Sequence, residues 1–205
     1  RYCRTFPDVS LMSTMKSIAW SEGQWSRNPV SVSESSGSLL VEAAAESDWW
    51  RTTAYGFIHD DGHALLKEFP NESAVEVRFI LNYTEQFDQA GIFITSGSEN
   101  WIKAGVEFCD GFPQVGAVVT DVNSDWSVAP VPEWMNKEVT IRVSRSGDAV
   151  TMRAGVDGDL RLVRVAPLDP SRTWSAGPMF CAPSRAGLVV TFTGWSIGEA
   201  DSELH

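Results

Sequence analysis

Cysteine is scarce: Cys3, Cys109 and Cys181 are all that 205 residues contain. Three thiols with no paired spacing do not make a disulfide framework, so the expected setting is a reducing one, the cytoplasm. Basic side chains are outnumbered, 16 Lys and Arg against 27 Asp and Glu, for a formal charge of −11. Phosphate recognition needs a basic face, so neither nucleic acid nor an anionic membrane surface is an expected partner. No apolar run is long enough for a transmembrane helix. The opening RYCRTFPDVSLMSTMKS lacks the continuous apolar segment of a signal peptide. Helical periodicity is poor. LVEAAAESDWW holds good helix formers, but the two-fold order just before it favours a strand. There is no phosphate-binding loop, dinucleotide fingerprint or G-x-S-x-G elbow, and no cofactor is expected.

What is present is a succession of short alternating stretches. Hydrophobic content of 43% with 21% charged residues marks a globular chain. The segments 38–44, 74–83, 89–96, 101–108, 114–121, 138–146, 149–157, 160–166 and 187–197 read as strands. Gly, Asn, Asp and Pro punctuate them at the spacing of an all-β sandwich or barrel. No low-complexity run divides the chain. The expected organisation is an extension over 1–17, one β-sandwich domain over 18–200 and a tail over 201–205.

The stretch NWIKAGVEFCDG carries the strongest functional signal. Strand alternation points Ile102, Ala104, Val106 and Phe108 to a core. Trp101, Lys103, Gly105, Glu107 and Cys109 then share the other face. Lys103 and Glu107 are expected within reach of one another, as a surface ion pair or as the floor of a site. Trp101 offers a face for sugar C–H groups, and Gly105 a bare backbone for a ligand to approach. In FDQAGIFITS, Gln89 should lie beside Glu107 if the two strands pair. Asp88 would add a second carboxylate, giving two acids and an amide capable of acid–base work. Elsewhere, FIHDDGHALL invites a metal reading through His59, Asp60, Asp61 and His63. The spacing matches no zinc pattern, so no metal is expected; a hairpin tip is, with a histidine overhanging the site. In WWRTTAYG, alternation should send one of Trp49 and Trp50 to the core and the other to ligand or solvent, with Arg51 free to clamp an anion. Trp126, in NSDWS, is expected on a loop, where aromatics serve binding. The total of 9 Trp favours carbohydrate stacking.

Taken in order, WWRTTAYGFIHDDGHALL, FDQAGIFI, NWIKAGVEFCDG, VVTDVNSDWS and GPMFCAPSRAGLVVTFTGWSIG resemble the regulation-of-enolase family of concanavalin A-like domains, a family of unknown function. The resemblance spans most of Trp20 to Gly198. It implies a jelly-roll sandwich of two antiparallel sheets with a concave face suited to ligands. It carries over the positions Trp50, Arg51, Asp88, Gln89, Trp101, Lys103, Glu107, Trp126 and Ser127. The E-x-D-x-x-E strand of related endoglucanases is absent, since VEFCDG supplies only Glu107 and Asp110.

Three functional expectations follow. The first is a binding module for a carbohydrate or similar polar small molecule. Trp50, Trp101 and Trp126 would stack, and Asp88, Gln89 and Glu107 would bond hydroxyls. Lys103 and Arg51 would meet a negative group, and His59 or His63 would overhang. The second is an enzyme on the same floor, with Glu107 as acid or base, Lys103 as electrostatic stabiliser and Asp88 as second carboxylate. The third is an interaction module with a protein partner, regulating an enzyme of sugar metabolism.

Overall fold

Alternating burial builds this molecule, and it is visible in a single strand. In β10 (Asn100–Cys109), Ile102, Ala104 and Val106 are buried in one apolar cluster, while Trp101 belongs to a second cluster on the opposite face. The computed structural model describes residues 14–203, so Cys3 lies outside the described residues. One sheet, called here the front sheet, has seven strands. Its order is β12 (Asn123–Pro130), β11 (Phe112–Asp121), β10, β9 (Gln89–Thr95), β16 (Ser175–Cys181), β7 (His63–Glu68) and β2 (Gln24–Trp25). The back sheet runs β15 (Arg161–Pro167), β14 (Ala149–Val156), β13 (Glu138–Ser146), β8 (Ser73–Ile80), β17 (Val189–Glu199), β4 (Ser38–Glu42) and β3 (Ser31–Ser35). β1 (Lys16–Ser17) also pairs with β17, through Ile197 and Ser196. All these ladders are antiparallel. The fold is the expected all-β concanavalin A-like jelly-roll sandwich.

The core lies between the sheets. Ile92, Ile94, Ile102 and Val106 from the front meet Val75, Val77, Phe79, Ile141, Val143 and Phe192 from the back. Each such side chain, fully buried, contributes roughly 1.5–3 kcal/mol. A smaller cluster of Trp49, Trp50, Phe93, Trp101, Val118 and Met179 covers the outer face of the front sheet. Its lid is a separate hairpin of β5 (Trp49–Arg51) and β6 (Ile58–Asp60), which lies outside both sheets.

Several local expectations change. LVEAAAESDWW is neither helix nor one strand: β4 ends at Glu42 and β5 begins at Trp49. Trp49 is the one that packs, stacked on Phe93 over the outer face of the front sheet rather than between the sheets, and Trp50 belongs to the same outer cluster. Asp60-Asp61-Gly62 is not a hairpin tip. β6 pairs with β5, while β7 passes into the front sheet, so Asp61-Gly62 is a crossing between layers. Gly62 is required there, since a Cβ would stand 2.0 Å from Trp49 Nε1. Trp126 sits in a strand, β12, opposite Val118.

Candidate functional site

The register of three neighbouring strands lays out the site. β9, β10 and β11 place Gln89, Glu107 and Gln114 in one row across the front sheet, as Cα partners. Four residues along β10, Lys103 lies between Phe93 and Val118. Between these rows, Gly91, Gly105 and Gly116 align. A Cβ on Gly105 would come within 2.2 Å of the Ala90 carbonyl oxygen, and one on Gly91 within 2.1 Å of that of Ala104. The bare backbone of Gly105 is therefore demanded by the neighbouring strand, rather than by a ligand.

Above this floor is a cavity of about 620 Å³. Gln89, Lys103, Glu107 and Val118 form its base. Trp126 of β12 and Trp50, Tyr55, Phe57 and His59 of the hairpin form one wall. Glu46 and Asp48, in the segment leading into β5, stand beside them, and Phe87, Pro183 and Ser184 close the opposite rim. Tyr55 and Phe57 stack at 5.4 Å and 16°, while Trp50 meets its ring neighbours edge to face. Trp50 and Tyr55 are 5.6 Å apart at 70°, and Trp50 and Trp126 are 6.4 Å apart at 88°. Trp50 is fixed by its indole N–H, which donates to the Thr53 carbonyl at 3.0 Å.

Lys103 does not pair with Glu107. The strand rise puts four residues at about 13 Å between Cα atoms, and the ammonium donates instead to Asp48 Oδ1 at 2.8 Å. Burial works against that ammonium, but Asp48, with smaller contributions from Cys181 and Glu107, outweighs it and holds the Lys103 pKa above its usual range. Glu107 has no such partner. Burial pushes its carboxyl from 4.5 up to about 7; Lys103 opposes the rise, and Asp48 and Asp110 add to it. A carboxyl lining a cavity and titrating near neutrality is suited to hold or move a proton.

The remaining expected site residues separate into two groups. Gln89, Trp50, Trp126 and His59 line the cavity with Lys103 and Glu107. Trp101, Asp88, Arg51 and His63 do not. Trp101 is 1% exposed and packs beneath the hairpin against Trp49 and Phe93, so it presents no face to a ligand. Asp88 is fully buried and forms a bidentate ion pair with Arg185; burial still raises its pKa overall. Arg51 donates to Glu99 at 3.1 Å and to the Val122 carbonyl at 3.0 Å, tying the hairpin to the loops around it. His63 does not overhang the site. It is fully buried, stacks on Phe180, and its Nε2 accepts from the Ala44 N–H at 2.9 Å. Burial lowers its pKa, keeping it the neutral acceptor that this bond needs. Ser127 lies outside the cavity, where its hydroxyl accepts from Arg164 of β15. Both described thiols are held protonated by burial, Cys109 at about 11 and Cys181 well above its usual range.

Sequence reasoning missed Asp48, the partner of Lys103, and Phe57, and it gave Tyr55, visible in WWRTTAYG, no role. Asp48 sits in an irregular stretch between strands and reaches Lys103 only through the tertiary fold, 55 positions apart. Among the described residues no group of three or more His, Cys, Asp and Glu side chains is placed to hold a metal ion. Among the described residues no helix is long and apolar enough to cross a membrane.

Residues 25–200 match the model of a family described as "Protein of unknown function (DUF1349)". The chain belongs to the DUF1349 family. The chain is also similar to Regulation of enolase protein 1 of Saccharomyces cerevisiae, 36% identical over 189 residues, spanning 91% of this chain and 94% of the relative. A crystal structure of a functionally unknown protein from Saccharomyces cerevisiae superposes with a TM-score of 0.84 at 34% identity, covering 90% of this chain and all of that one. A GH43 protein from Bacillus licheniformis superposes with a TM-score of 0.69 at 12% identity. This DUF1349 chain corresponds to 38% of that protein, and the likeness is one of fold. The family resemblance read from the motifs is thereby shown.

Proposed function

We propose that the cavity on the front sheet binds a polar small molecule of carbohydrate type. The observation that carries this reading is the pairing of a hydrogen-bonding floor (Gln89, Lys103, Glu107) with a wall of indole and phenol rings (Trp50, Tyr55, Trp126) around about 620 Å³. That volume lies in the usual range for small-molecule sites, roughly 300–1,000 Å³. Rings supply flat apolar faces for C–H groups, while the polar floor fixes orientation.

A thermal-shift screen against neutral and charged mono- and disaccharides tests the reading. A ligand at about 100 times its dissociation constant stabilises the folded chain by about 2.7 kcal/mol. Trp126→Ala should remove the shift while leaving the unliganded melting temperature nearly unchanged, because Trp126 is 37% exposed on an edge strand. The absence of a shift with every sugar would sink the proposal.

A second reading is favoured by Glu107 itself. Its pKa of about 7 suits a general acid or base at the cavity floor. Glu107→Gln would then preserve binding and abolish turnover; retained turnover would exclude this role. The name of the yeast relative supports a third reading, a protein partner. Exposed Tyr55, Phe57 and Ile58 on the hairpin are the surface such a partner would meet.

A further inference from the structure

The cavity is short of positive charge. Three carboxylates, of Glu46, Asp48 and Glu107, line it against one ammonium, that of Lys103, and the imidazole of His59. Lys103 is already committed, because its Nζ donates to Asp48 and its side chain is only 6% exposed. His59 lies 3.4 Å from the carboxylate of Asp61. The nearby guanidiniums are committed as well. Arg51 serves Glu99 and two backbone carbonyls, and Arg185 serves Asp88. An entering phosphate or carboxylate would meet Glu46 and Glu107 with no uncommitted cation to balance it. By contrast, the Glu107 carboxylate takes no hydrogen bond from any described residue. Lining the same cavity are Trp50, Tyr55 and Trp126, with Trp50 edge to face against each of the other two, so that neighbouring π-faces point in different directions. Such faces attract organic cations.

We propose that the ligand of this cavity carries an ammonium group, recognised by the carboxylates of Glu107 and Glu46 and by the ring faces of Trp50, Tyr55 and Trp126. This deepens the binding reading above and rests on it. It reverses the expectation that Lys103 and Arg51 select a negative group. An amino sugar and an alkylammonium compound share the required chemistry, and the experiment separates them. The charged and titratable groups near Glu107 are Lys103 on the same strand, Asp48 before β5, Asp110 in the following turn, and the Cys109 thiol and Tyr83 phenol. Burial holds the thiol and the phenol neutral, and Lys103 stays charged. Glu107 therefore binds a cation better as pH rises through about 7, releasing its proton as the ligand enters.

The test is titration calorimetry of the full chain with glucosamine, glucose, choline and glucose 6-phosphate, for the wild type, Glu107→Gln and Glu46→Gln. Glucosamine or choline should bind about tenfold or more tighter than glucose, as one charge-assisted contact provides. Glu107→Gln should remove most of that preference, and Glu46→Gln, on the exposed rim, should remove part of it without risk to folding. Glucosamine ahead of choline identifies an amino sugar; the reverse order identifies an alkylammonium ligand. Equal binding of glucose and glucosamine, or tighter binding of glucose 6-phosphate, overturns the ammonium inference while leaving the cavity a sugar site. No binding by any of the four compounds overturns the inference, and the earlier sugar screen separately decides the broader reading.

Discussion

Glu107 and Lys103 show how burial acts on two charges of opposite sign a few residues apart. Lys103 keeps its charge because Asp48 reaches it; Glu107 has no such partner and surrenders its charge near neutrality. The linkage sign follows from the raised pKa. Between about 4.5 and about 7 the folded chain holds the Glu107 proton more tightly than the unfolded chain does. Stability from this group is therefore complete below about 4.5 and is lost as pH rises through about 7. Glu107→Gln removes that loss. Urea unfolding should show the variant more stable than the wild type by about 3 kcal/mol at pH 8 and no more stable at pH 4. A gain at pH 4 as large as that at pH 8 would refute the assignment. Lys103→Met acts in the opposite direction, leaving the Asp48 carboxylate without its counter-charge and with only the Trp49 N–H as donor. It should cost about 3 kcal/mol, and adding Asp48→Asn should recover part of the loss in a double-mutant cycle.

Elements position the site more than single residues do. The 183–188 segment contributes Pro183 and Ser184 to the cavity rim and is held by Arg185, whose guanidinium grips Asp88 beneath. Asp88 thus supports the rim from beneath and does not line the cavity. Arg185→Met should strand a fully buried carboxylate and cost about 3–5 kcal/mol, with the rim exchanging amide hydrogens faster than β9 and β10. If Arg185→Met unfolds at the same urea concentration as the wild type, the clamp has no such role. The glycine seam predicts a contrast between two superficially equal substitutions. Gly105→Ala forces a methyl into the Ala90 carbonyl, whereas Gly111→Ala meets open space and only a positive φ of 86°. The first should prevent accumulation of folded protein; the second should cost about 1 kcal/mol, read from denaturant unfolding. The sequence made the central strands legible because their alternation is strict, and it placed Gln89 and Glu107 side by side through a hairpin that does form. It did not reveal β2, β3 or β16, which are short, polar or built on nearly unbroken apolar runs. Nor did it reveal the flat hairpin, since no local pattern tells a strand in a sheet from one laid across it. That hairpin is why Trp50 lines the cavity while Trp101, read with it, is covered.

At the scale of the whole molecule the excess of acid has a measurable consequence. A net charge of −11 repels itself in the compact state. Raising ionic strength from about 0.01 M to about 0.15 M shortens the screening length from about 30 Å to about 8 Å, so the melting temperature should rise. A fall over that range would mean that attractive pairs such as Arg142–Asp201 and Arg153–Asp201 outweigh the repulsion. The fold class was legible because composition, strand spacing and family motifs all agreed. Strand order was not, because it depends on which distant segments meet. The placement of β17 illustrates the point and carries a consequence for biosynthesis. This strand, Val189–Glu199, lies in the interior of the back sheet, between β8 and β4. A chain emerging residue by residue from the ribosome makes both neighbours long before it makes the strand that joins them. Until Val189–Glu199 appears, the inward edges of β8 and β4 offer unpaired backbone to any other strand nearby. Folding of this sheet is thus completed only after nearly all of the described chain has been synthesised.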